Sequence, residues 1–185
     1  MHSETSLDRH FIRALEELDR CLGKRRSATV ISGHRVSSYR VVASGEDPLH
    51  LTQRVLVIPM MDLLGYRGLT PMKVSEGRAP GLVMSTVSMN TGVSEASRRV
   101  MCSMRTDKAR KGIATDGFRW ILVTRDDGLP RIRAMADLRP YYIEFLDGDR
   151  FRECVPEDRD VLSRFMYMFG NRPNDVSQCF PQVQT

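Results

Sequence analysis

Leu7, Phe11, Leu15, Leu18 and Leu22 recur at steps of four, four, three and four residues. That spacing holds them on one side of a helix. It predicts a helix over Ser6–Leu22 with a single apolar stripe, stopped by Gly23. From Ala28 to Ser44 the rhythm changes: apolar and polar positions alternate loosely and β-branched residues accumulate. This stretch reads as two short strands, ATVIS and YRVVAS, around Gly33-His34, or as an extended arm. Asp47-Pro48 begins the next helix, an N-cap acceptor followed by proline in the first turn. Leu49, Leu51, Val55, Ile58, Met61 and Leu64 carry its period to Gly65. Pro59 lies inside that period and is expected to kink or split the helix.

Leu82 to Val87 reads as a buried strand. Asn90-Thr91-Gly92 signals a hairpin, with Val93 to Ala96 as the returning strand. Ser97 to Lys111 is helical in pattern. Gly112 to Thr115 makes a short strand, Asp116-Gly117 a type I′ turn, and Phe118 to Thr124 the strongest strand of the chain. Asp126-Asp127-Gly128 turns the chain into a further strand over Arg131 to Leu138. A helix follows Arg139-Pro140, and Val161 to Phe169 is a last apolar helix. Trp120 is expected in the core. So are Tyr141, Tyr142 and the Phe165–Phe169 run, unless the run serves a partner. This order predicts an α/β fold: a central mixed β-sheet flanked by helices, plus an added N-terminal helix. The expected division is an N-terminal helix and arm over 1–44, a core over 45–170 and a loosely held tail over 171–185.

At 185 residues, with 41% apolar and 28% charged, the chain suits one domain with a substantial core. No apolar run is long enough for a membrane span, and the polar opening residues do not resemble a secretory leader, so a cytoplasmic location without membrane contact is expected. The four cysteines (Cys21, Cys102, Cys154, Cys179) form no C-x-x-C pair, which favours free thiols over a metal site. None of the four histidines has a histidine three or four residues away.

The net charge of +5 permits a polyanionic partner without requiring one. Its distribution is more informative. Between Ser97 and Lys111 stand Arg98, Arg99, Arg105, Lys108, Arg110 and Lys111, six cations against the single acid Asp107. A helix carrying them is either a solvated surface or a phosphate-contacting one. The segment lacks aromatics, so contacts to a duplex backbone are favoured over stacking on single-stranded bases.

No nucleophile elbow, P-loop or dinucleotide fingerprint is present. Glu95, expected at the end of a strand, could hold a divalent ion if a second carboxylate approached from the neighbouring strand. Three stretches together resemble a known family. The first runs from Glu46 through Arg54-Val55-Leu56-Val57-Ile58-Pro59 to Leu64-Gly65-Tyr66. The second is Pro80-Gly81 followed by Glu95-Ala96-Ser97. The third is Gly112-Ile113-Ala114-Thr115-Asp116-Gly117-Phe118-Arg119-Trp120. They are similar to the N-terminal nuclease domain of type I restriction enzyme R subunits and their small stand-alone relatives, in the PD-(D/E)XK superfamily. The resemblance covers about half the chain. It implies a restriction-endonuclease-like core.

In that family an aspartate and a glutamate bind Mg²⁺ and a lysine assists the attacking water. Here Gly81 stands in place of the aspartate and Ser97 in place of the lysine. Glu95 and Glu46 remain as vestigial candidates, too few carboxylates for a metal cage. The resemblance thus implies a fold with a degenerate site. The expectation is a non-catalytic protein that binds duplex DNA through the basic helix, without a cofactor. Two alternatives stand beside it: a Mg²⁺-dependent endonuclease with relocated residues, and an assembly module working through the Leu7–Leu22 helix, as a homo-oligomer, or through Phe165–Phe169.

Overall fold

Helix α1 spans Ser6–Leu22, and Phe11, Ala14, Leu15, Leu18, Cys21 and Leu22 are buried along its stripe. The computed structural model of the chain describes residues 6–33, 46–66, 70–73, 76–79, 81–107, 109–146 and 156–171. The expected YRVVAS strand, Cys154, Cys179, His2, His34 and the tail beyond residue 171 lie outside these.

Gly23, at φ 81°, ends α1, and a second helix, α2 (Lys24–Ile31), starts at once. The expected strand ATVIS is therefore corrected to helix. Two forces override its β-propensity. Ser27, Val30 and Ile31 share one buried face. The hydroxyls of Thr29 and Ser32 donate back to the carbonyls of Arg25 and Ala28 at 2.8 and 2.9 Å, the local bonding that hydroxyl residues use inside helices.

Asp47 caps helix α3 (Pro48–Thr52) as expected, its carboxylate accepting from the Leu49 N–H at 2.7 Å. Pro59 neither breaks nor sharply splits the helical run beyond Thr52. A π-helical stretch over Gln53–Val57 widens the backbone just ahead of it, and α4 (Ile58–Leu63) continues with the proline in its first turn. The wider turn accommodates a residue that has no N–H to donate. Gly65, at φ 84°, then closes the helix.

The sheet has six strands in sequential order: β1 (Thr70–Lys73), β2 (Glu76–Ala79), β3 (Leu82–Thr86), β4 (Lys111–Thr115), β5 (Arg119–Asp126) and β6 (Leu129–Asp137). Every neighbouring pair is antiparallel except β3 and β4, which run parallel and are joined by helix α5 (Ser94–Asp107). The expected returning strand Val93 to Ala96 is thus corrected: Asn90-Thr91-Gly92 leads into a crossover helix. The expected type I′ turn at Asp116-Gly117 is corrected too. The two consecutive left-handed residues are Asp127 and Gly128, at φ 51° and 81°, joining β5 to β6.

Alternation along the strands sends side chains to two separate cores. Met84, Ile113, Trp120 and Leu122 meet α1, α2, α3, α4, α6 (Arg139–Leu146) and α7 (Pro156–Phe169) on one face. Phe11 and Tyr142 pack edge to face there at 4.8 Å, and Trp120 meets Phe165 at 5.7 Å. The stripe of α1 is spent in this core, which it shares with the sheet. On the other face Val83, Ala114, Ile121 and Val123 meet Ala96, Val100 and Met104 of α5 alone. Gly112 lets that helix lie close, because a Cβ there would run into Val100 and Met104.

Candidate nucleic-acid interface

Helix α5 divides cleanly into an inner and an outer side. Ala96, Ser97, Val100 and Met104 are buried on the sheet. Arg98, Cys102 and Arg105, at steps of four and three, are exposed along the outer side. Arg98 and Arg105 therefore lie two turns apart, about 10 Å along the axis. Cys102, an exposed free thiol, sits between them.

The cations expected to act together are placed in different surroundings. Arg105 and Arg110 are exposed. Arg98 and Arg99 both turn back onto Glu95, at 2.8 and 3.0 Å. Lys108 lies outside the described residues. Lys111 leaves the group altogether. Strand alternation puts it on the many-helix side, where its Nζ donates to the Gly170 and Phe169 carbonyls at 2.7 and 3.3 Å and stands 5.7 Å from the Tyr66 ring centre. Burial there lowers its pKa. A cation bonded to the carbonyls that end α7 is a helix C-cap.

The vestigial acids also separate. Glu95 belongs to the first turn of α5, where the bonds from Arg98 and then Arg99 hold its carboxyl below the usual range. Glu46 precedes α3 on the other face of the sheet. It accepts from Arg54 at 2.7 and 3.0 Å, and Arg54 also reaches Glu17 of α1. Arg54 keeps the Glu46 carboxyl low as well. The two carboxylates are thus built into separate ion-pair clusters on opposite faces. Ser97, in the place of the family's lysine, is buried under α5, and Gly81 takes a left-handed turn at φ 74° between β2 and β3. Among the described residues no group of three His, Cys, Asp or Glu side chains could hold a metal ion.

One polar cluster carries no clear signal in the sequence. It lies at the carboxyl ends of the parallel strands, the edge where open α/β sheets commonly take ligands. Asp116 is fully buried there. Its Oδ1 accepts from the Phe118 and Arg119 N–H groups at 3.1 and 2.7 Å, while Oδ2 has no partner. Burial raises its pKa above the ordinary value of 3.8. Thr86 Oγ1 and Ser85 Oγ are also buried without a partner. Arg139 closes this end of the sheet, donating to Asn90 Oδ1 at 3.1 Å and lying 5.4 Å from the centre of the Phe118 ring. The available signal was Asp-Gly between two strands, and it marks the turn without revealing how deeply the carboxylate is buried.

No family model matches the chain, and neither the curated proteins nor the solved structures compared with it contain a match.

Proposed function

We propose that this chain is a non-catalytic nucleic-acid-binding protein whose α/β body is a restriction-endonuclease-like core. The contact surface is the outer side of α5 with the Arg110 corner beyond its end. One observation carries the reading: α5 turns an apolar side to the sheet and an arginine side, interrupted by no aromatic residue, to solvent. Arginine forks on a rigid helix suit the phosphates of a duplex. Arg105 and Arg110 lead, Arg98 and Arg99 follow, and Lys108 adds its charge to the same segment. Lys111 is excluded by its bonds to the end of α7. The absence of catalysis in this reading rests on Glu46 and Glu95, which lie on opposite faces of the sheet and are each paired with arginine.

The test is a titration of fluorescent duplex DNA at two salt concentrations, with and without Mn²⁺. Salt-sensitive binding without cleavage is expected, together with protection of Cys102 from a maleimide in a C154S/C179S background. Cleavage lost on Glu95→Gln would instead establish the nuclease alternative.

A second reading, an interaction module, is favoured by the last strand of the sheet. Among the described residues nothing pairs with the outer edge of β6. Leu129, Ile132 and Met135 are 57, 48 and 70% exposed along it. Ile132 and Met135 pair with Val123 and Ile121, so they belong to the α5 face but lie beyond the cover of that helix. An exposed apolar edge of this kind invites strand pairing. A solution mass above that of one chain, returning to a monomer on Ile132→Lys, would favour this reading.

A further inference from the structure

Glu95 is the single carboxylate in the first two turns of α5, and two guanidinium groups close on it. Arg98 donates from Nε to Oε2 at 3.0 Å and from Nη2 to Oε1 at 2.8 Å. This is the parallel two-bond fork that guanidinium makes with carboxylates and phosphates alike. Arg99 adds a third bond, from Nε to the same Oε1, at 3.0 Å. The pair is formed at the surface, with the Arg98, Arg99 and Glu95 side chains 69, 39 and 45% exposed.

We infer that Arg98 and Arg99 form a seat for one backbone phosphate of a nucleic acid, and that Glu95 fills this seat until the nucleic acid displaces it. The inference rests on the nucleic-acid reading above. A surface ion pair is weakly held, so exchanging one oxyanion for another costs little. A free phosphate ion gains nothing over a carboxylate tethered three residues away. A polyanion differs, because Arg105, two turns along the same side, can hold a neighbouring phosphate and so deliver the next one at high local concentration. Glu95 thereby sets a threshold. Short or singly charged anions meet a filled seat, and only a chain of phosphates recovers the lost contact. The residue that the sequence offered as a metal ligand becomes an internal stand-in for the phosphate.

The experiment measures duplex DNA binding by fluorescence anisotropy across a salt series. It compares the natural chain with E95Q, E95Q/R98A/R99A and R105A/R110A, and checks that each folds by circular dichroism. E95Q is expected to bind several-fold tighter at low salt. Its plot of log affinity against log salt should be steeper by about one unit, the signature of one more phosphate neutralised. The gain should vanish in the triple variant. Equal or weaker binding by E95Q with an unchanged slope overturns the seat. If R105A/R110A abolishes binding in that case, the broader reading of α5 still stands. No duplex binding by either the natural chain or E95Q at low salt overturns the seat and the reading together.

Discussion

The two faces of the sheet use their charged residues in opposite ways. On the face covered by α1, α2, α3, α4, α6 and α7, ionic groups serve structure. Arg54 ties Glu46 to Glu17, and Lys111 bonds the carbonyls at the end of α7. On the other face α5 alone covers the strands, and Arg98 and Arg105 lie outside it in solvent. A cation in this chain therefore cannot be assigned to a ligand from its sequence neighbourhood. Lys111 and Arg110 are adjacent, yet one is half-buried as a cap and the other exposed. The thickness of the layer above the strand decides between them.

That contrast predicts a graded response to mutation. The largest effect belongs to the thick face. Trp120 is fully buried between Phe165 and Phe169, so Trp120→Ala should cost about 3–5 kcal/mol of stability in urea unfolding. The thin face is sensitive at its closest approach. Gly112→Val places atoms where Val100 and Met104 sit, and should cost about 2–3 kcal/mol. Because the collision lifts α5, duplex binding should fall along with stability. Retention of full binding in a destabilised Gly112→Val protein would separate α5 from the interface.

The next effect is pH-dependent and also belongs to the thick face. His10 of α1 lies 3.1 Å from the Tyr142 hydroxyl of α6, and burial pushes its pKa down from 6.5 to about 4. The unfolded chain takes up this proton first. Stability is therefore complete above pH 6.5 and is lost as pH falls from there through about 4, by about 3 kcal/mol at most. His10→Gln should flatten that part of the urea-midpoint profile. Asp116 shows the opposite sign. Its raised pKa means that the folded state disfavours the charged form, so stability falls as pH rises from 3.8 through the folded value. Asp116→Asn keeps the oxygen that accepts from Phe118 and Arg119 and removes the buried charge. It should raise stability at neutral pH by about 1 kcal/mol, with a smaller gain near pH 4.

The same contrast explains how much is legible in the residues alone. The α1 stripe, the Asp47 cap, β3, β5 and the burial of Trp120 come from strong local patterns with one packing solution. Helix α2 was hidden because Thr29, Val30 and Ile31 favour a strand locally, while burial of Ser27, Val30 and Ile31 decides for a helix. The loop at Asn90-Thr91-Gly92 serves a hairpin and a crossover equally well, so its pattern assigns Glu95 to a strand although it sits on a helix. The basic side of α5 was legible as a run of arginines. The bonds that tie Arg98 and Arg99 to Glu95, and Lys111 to α7, depend on neighbours fixed only in three dimensions.

The smallest effect on stability tests the central claim most directly. Arg105→Ala/Arg110→Ala alters two exposed side chains and should change folding stability by less than about 0.5 kcal/mol. Measured against fluorescent duplex DNA across a salt series, the double variant should bind more weakly, with a salt slope shallower by about two units. Unchanged affinity and slope in a fully folded double variant would contradict the assignment of α5 as the nucleic-acid interface.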